Sequence, residues 1–133
     1  MDQVEKIKKG NQIYAIVLRK DFSQQGVNFF SPWDFSQQFG VLIHKKGKTV
    51  KRHRHKLVRR KILRTAEALI VLVGKMKVDV YNNKAMRLKT VVLNSGDAIL
   101  LARGGHGVEI LEDSKIIEIK QGPYAGYDDK KFF

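Results

Sequence analysis

The chain has 133 residues and no cysteine, with 26 Lys and Arg against 13 Asp and Glu for a formal net charge of +13. A hydrophobic share of 43%, with seven Phe, four Tyr and one Trp, excludes a disordered chain and suffices for one buried core. The missing cysteines exclude disulfides, thiol nucleophiles and thiolate metal centres, and fit a cytoplasmic protein. The longest apolar run, Ala68 to Val73, is six residues, so no membrane span and no membrane partner are expected.

Taken in chain order, residues 1–10 read as a polar, frayed arm. Gln12 to Arg19 places Ile13, Ala15 and Val17 on one face, the period of a strand. Residues 20–38 are broken by Gly26, Asn28 and Ser31-Pro32 and carry many aromatics. Phe29, Phe30, Trp33, Phe35 and Phe39 are expected to form a clasp over one end of the core or across a dimer interface. Gly40–Lys46 and Thr49–His55 read as two strands joined around Lys46-Gly47-Lys48, and Lys56–Arg64 as a basic connection.

Two strands hinged at Gly74 follow, Ala66–Val73 and Lys75–Tyr81. A tight turn at Asn82-Asn83-Lys84 leads into Met86–Leu93, and a second turn at 94–97 leads into Ala98–Leu101. Val108–Leu111 and Ile116–Lys120 are the last strands, separated by a turn at Glu112-Asp113-Ser114, and a loop-like tail ends in aromatics that dock on a neighbour. About nine short strands without a sustained helical period predict an all-β sandwich or barrel. The chain reads as one domain over 1–133, with an arm over 1–39 packing on the barrel or on a partner in a homodimer.

One constellation carries chemistry. His53 and His55 are two apart, so a strand would aim both imidazoles the same way, and Glu67 opens the longest apolar run. His106 is in phase with Val108 and Ile110, an inward-facing set. Three neutral imidazoles and a carboxylate suit a divalent transition metal with open positions, such as Fe, Mn, Ni or Zn. His44, on the neighbouring strand, reads as a supporting residue. Glu118 and Lys120 alternate with Ile117 and Ile119, so one pair faces the core. If it is the polar pair, it can orient a substrate or move a proton.

These residues fall into a pattern that resembles the cupin superfamily. Gly47 precedes His53 by five residues, His55 completes His-x-His, and Glu67 precedes Gly74 by six. The second motif is approximated by GDAILLARGGHG from Gly96 to Gly107. Ala102 stands in the proline position, Gly104 matches, and His106 comes one residue early. The eleven residues between His55 and Glu67 exceed the usual three or four. The resemblance implies a double-stranded β-helix, or jelly-roll, barrel holding a metal on His53, His55, Glu67 and His106. It also implies kinship with small cupin-domain proteins of polysaccharide and sugar-nucleotide metabolism. Metal-dependent isomerisation, epimerisation or dioxygenation would then be the reaction class, with enzymatic activity itself an open question.

The charge allows another reading. Eleven basic residues lie between Lys45 and Arg64, and no acidic residue occurs from Phe35 to Ala66. Arg59, Arg60 and Arg64 are candidates to hold a phosphate or carboxylate of an anionic small molecule. The same segment could instead serve a nucleic-acid-binding β-barrel, and a non-catalytic sensory or structural cupin is the third alternative.

Overall fold

Eight strands and one short 3₁₀ turn make up the regular structure of the computed structural model, which describes residues 3–133 apart from the Asp128 side chain. They are β1 (Val4–Lys9), β2 (Gln12–Leu18), β3 (Gly26–Phe29), β4 (Gly40–Ile43), β5 (Glu67–Tyr81), β6 (Arg87–Asn94), β7 (Ala98–Leu101) and β8 (Gly105–Lys120), followed by the turn at Gly126–Asp128. No helix among the described residues is long and apolar enough to cross a membrane. The all-β expectation holds. Pairing places β1, β2, β7, β5 and β6 in one sheet in that order, with β8 on β5, while β3 and β4 form a separate two-stranded ribbon.

β5 organises the sheet, and its bend is a geometric necessity. Its first residues, Glu67–Ile70, pair with β7, its second half, Lys75–Tyr81, pairs with β6, and β8 follows its whole length. A straight strand of fifteen residues would separate Glu67 from Tyr81 by about 46 Å. Yet Leu101 sits opposite Glu67 and Gly105 opposite Tyr81, and the links from 101 to 105 reach at most about 14 Å. The β5–β8 ribbon must therefore fold over, and the sheet curls into a half-barrel.

The fold-over lies at register shifts between Val71 and Met76, around Gly74 with φ +101°. A side chain at Gly74 would collide with Ser114. Hydroxyls satisfy the disrupted ladder: Gly74 N–H donates to Ser95 Oγ and Lys75 N–H to Ser114 Oγ, each at 3.1 Å.

The concave face carries the larger core, with Ala15, Val17, Leu69, Val71, Met76, Val78, Val80, Leu93 and Ile99 buried together. On the convex face Ile16, Ala68, Leu100 and Ala102 pack under Phe30, Phe35 and Phe39. That is part of the expected aromatic clasp, because Phe29 and Trp33 stay out of it and Trp33 is 90% exposed. Buried Asp97 ties the turn between β6 and β7 to the end of β2. It accepts hydrogen bonds from the backbone of Lys20 and Asn94, each at 2.9 Å, and from Arg19 at 3.1 Å.

Four expectations need correction. The arm 1–10 is not frayed where described, since β1 pairs along β2 and leads the sheet. Thr49–His55 is not a strand. The whole of 44–66 lacks strand and helix, and no ladder partner for it is present among the described residues. Ala66–Val73 and Lys75–Tyr81 are one strand bulged at Gly74. The two strands drawn over 108–120 are likewise one, β8, because Glu112, Asp113 and Ser114 stay in the sheet opposite the bulge.

Candidate functional site

The fold-over of β5 and β8 creates the site. Glu67 opens β5 and is in phase with Leu69 and Val71, so its carboxylate points into the concave face, where it is buried. His106 enters two residues into β8, opposite Val80 near the far end of β5. The bend brings these ends together, and His106 Nε2 lies 2.6 Å from Glu67 Oε1. Lys120 is the ladder partner of Glu67 and Glu118 that of Leu69, so both share the concave side with Glu67. Lys120 Nζ is 3.8 Å from Glu67 Oε2 and 3.9 Å from Glu118 Oε2. The polar pair thus faces in, and Ile117 and Ile119 are left 42% and 53% exposed outside. The burial cost is small for Glu118, which stays about half exposed, and the contact of Lys120 with Glu67 offsets it for the lysine.

The electrostatics separate the two carboxyls. The hydrogen bond from His106 is the largest influence on Glu67. Burial opposes it, a hydrogen bond with Glu118 adds to it, and the result holds Glu67 down at about 2 against an ordinary 4.5. Glu118 moves the other way, raised first by its hydrogen bond to Glu67 and then by burial. One carboxyl is held as the anion while its neighbour is shifted toward the protonated form. Pairs pushed apart in this way are a common arrangement for acid–base work.

Glu67, His106 and Lys120, but not Glu118, line a cavity of about 660 Å³ together with Tyr81, Lys130 and Phe133, among others. Gly104 shapes its rim, since it has φ +71° and a side chain there would strike the Tyr81 carbonyl and Tyr14. The tail closes one wall, with Phe133 meeting Tyr81 edge to face at a centroid distance of 5.2 Å. Of the tail aromatics Phe133 makes this ring contact within the chain, while Tyr127 and Phe132 stay exposed. The contribution of Lys130, Lys131 and Phe133 was not legible in the sequence, because a loop-like tail gives no periodic signal of where it folds back.

The remaining candidates lie elsewhere. His53 and His55 are exposed in the irregular segment, their rings in edge contact with centroids 5.3 Å apart, and His53 Nδ1 lies 2.8 Å from the Lys51 carbonyl. The strand that was to aim both imidazoles together is absent, and in this arrangement they do not join Glu67 and His106. Among the described residues no group of three or more His, Cys, Asp or Glu is disposed to hold a metal ion. The cavity wall offers the carboxylates of Glu67 and Asp129 and the imidazole of His106, of which Glu67 and His106 are bonded to each other. Arg59 and Arg60 are exposed, and Arg64 borders a separate cleft of about 150 Å³ with Phe35 and Arg103. His44 is exposed just beyond β4.

The chain matches no protein-family model, no curated protein and no solved structure.

Proposed function

We propose that the cavity at the β5–β8 fold-over binds an anionic small molecule, a sugar or sugar-nucleotide derivative, and performs proton transfer on it. The observation that carries this reading is the buried, ionised Glu67, held by His106 and Lys120, at a cavity that Lys120, Lys130 and Lys131 also line, with Glu118 alongside and its carboxyl raised by its hydrogen bond to Glu67. The lysines supply attraction for a phosphate or carboxylate. His106, fixed by Glu67, presents one face of the imidazole to the ligand. Glu118 delivers or removes the proton, as an isomerase or epimerase requires. The half-barrel is read as a cupin-type jelly roll, with this cavity at its mouth.

Calorimetric titration with hexose phosphates and nucleotide sugars, combined with NMR detection of carbon-bound hydrogen exchange in D₂O, tests the reading. Lys120→Ala should weaken binding at least tenfold. Glu118→Gln should bind normally and lose exchange. A bound anion indifferent to Lys120→Ala would end the proposal.

A metal-dependent version is favoured by one feature. The irregular segment runs directly into β5 through Thr65, which lines the cavity. His55 precedes Glu67 by twelve residues, a tether of up to about 40 Å, so both imidazoles can reach the cavity. His53, His55, Glu67 and His106 would then hold a divalent Fe, Mn, Ni or Zn, displacing the hydrogen bond between Glu67 and His106. Such an ion supplies a Lewis acid or a dioxygen site. Elemental analysis should find close to one metal per chain, lost in the His53→Ala/His55→Ala double variant. Metal-free protein after purification without chelators would refute it.

A further inference from the structure

The positive charge of this protein is not spread over its fold. Outside Lys45–Arg64 fifteen basic residues face thirteen acidic ones, so eleven of the thirteen net charges sit in that one segment. Every residue from 44 to 65 is exposed, and the backbone there is irregular. The ion pairs among the described residues are made by side chains of the sheet and by Arg19 just beyond β2, and none involves a cation of the segment. Only one backbone–backbone hydrogen bond among the described residues lies within it, from Lys48 N–H to the Lys45 carbonyl. The fold proper is nearly neutral. The exposed segment carries a dense set of cations that make no ion pair among the described residues.

We infer that residues 45–64 form a docking surface for double-stranded nucleic acid that engages the phosphate backbone rather than the bases. Twenty residues of extended chain reach about 65 Å, far more than one phosphate-bearing metabolite occupies. A duplex presents a charge about every 1.7 Å and rewards each phosphate neutralised by releasing condensed counterions.

A single strand fits less well, since no Phe, Tyr or Trp falls between 45 and 64 to stack on its bases. An anionic lipid surface also fits less well. Irregular backbone with unpaired N–H and C=O groups is costly to bring into a bilayer, whereas free N–H groups are regular donors to phosphate oxygens. Val50, Leu57, Val58, Ile62 and Leu63 are exposed in the same segment and are the residues a bilayer would use, so vesicles belong in the test. No residue of 45–64 lines the cavity, so the inference does not depend on the cavity's chemistry.

The test is fluorescence anisotropy of the full chain with labelled DNA and RNA duplexes of about 20 base pairs, at salt between about 50 and 200 mM. Binding of either duplex at the lower salt is expected. If six cations touch phosphates, affinity should fall about 10³-fold across that range. The variant Lys51→Gln/Arg52→Gln/Arg54→Gln/Lys56→Gln changes only exposed side chains and should keep the wild-type melting temperature. Its log–log salt slope should be shallower by about 3.6, at about 0.9 for each contact removed. The inference is overturned by absent binding at about 50 mM salt, or by a slope unchanged in the variant. It is equally overturned if phosphatidylglycerol vesicles are bound as tightly as the duplexes.

Discussion

Replacing Glu67 by Gln should convert the proton balance of the site into a measurable stability. The folded protein holds this carboxyl at about 2, against 4.5 for an ordinary glutamate. At about 1.4 kcal/mol per unit, the preference of the fold for the anion is about 3 kcal/mol. A depressed carboxyl pKa stabilises the fold above the unfolded value. Its contribution is complete above pH 4.5, shrinks as pH falls, and is gone once pH passes below about 2.

The substituted amide would keep the shape and one hydrogen bond but not the charge. Urea unfolding of wild type and Glu67→Gln should therefore differ by about 3 kcal/mol at pH 6. With a slope of about 1.5 kcal/mol per molar, the midpoints should lie about 2 M apart. The difference should narrow from pH 4.5 downward and vanish near pH 2. The repulsion of a strongly cationic chain grows at low pH in both proteins and cancels in the comparison. An undiminished gap at pH 2.5, or a gap below about 1 kcal/mol at pH 6, would refute the assignment of Glu67 as the ionised partner of His106.

Two other outcomes follow from the packing. Leu93→Ala removes a fully buried side chain from the concave core and should cost about 3 kcal/mol at all pH values, measured by urea unfolding; a loss below about 1 kcal/mol would contradict its burial. The outer face leaves Leu72, Ile117 and Ile119 exposed beside the edge of β8 that has no ladder partner among the described residues, which predicts self-association into a homodimer. Sedimentation at micromolar concentration should show a dimer weakened by Ile119→Lys, and a wild-type monomer would refute it.

What could be read without coordinates was whatever alternation and turn chemistry encode locally. Met76, Val78 and Val80 repeat at a period of two, and the structure buries all three on the concave face. The asparagine turn after Tyr81 also forms as its sequence implies, with Asn82 Oδ1 accepting hydrogen bonds from the backbone of Lys84 and Met86, each at 2.9 Å. Phase marked His106 as inward and left open whether Glu118 and Lys120 or Ile117 and Ile119 face the core; the structure brings Glu67, Glu118, Lys120 and His106 together.

Tertiary structure decided the rest, because it depends on partners distant in sequence. His53-x-His55 has strand spacing, but a strand needs a ladder neighbour, and no residue inside the segment can supply one. Glu112-Asp113-Ser114 has turn composition, yet it stays in β8 because the bulge of β5 at Gly74 offers Ser114 a backbone N–H to bind. The contact between Glu67 and His106 spans 39 positions. It exists only because the chain from Leu101 to Gly105 is too short to let β5 run straight.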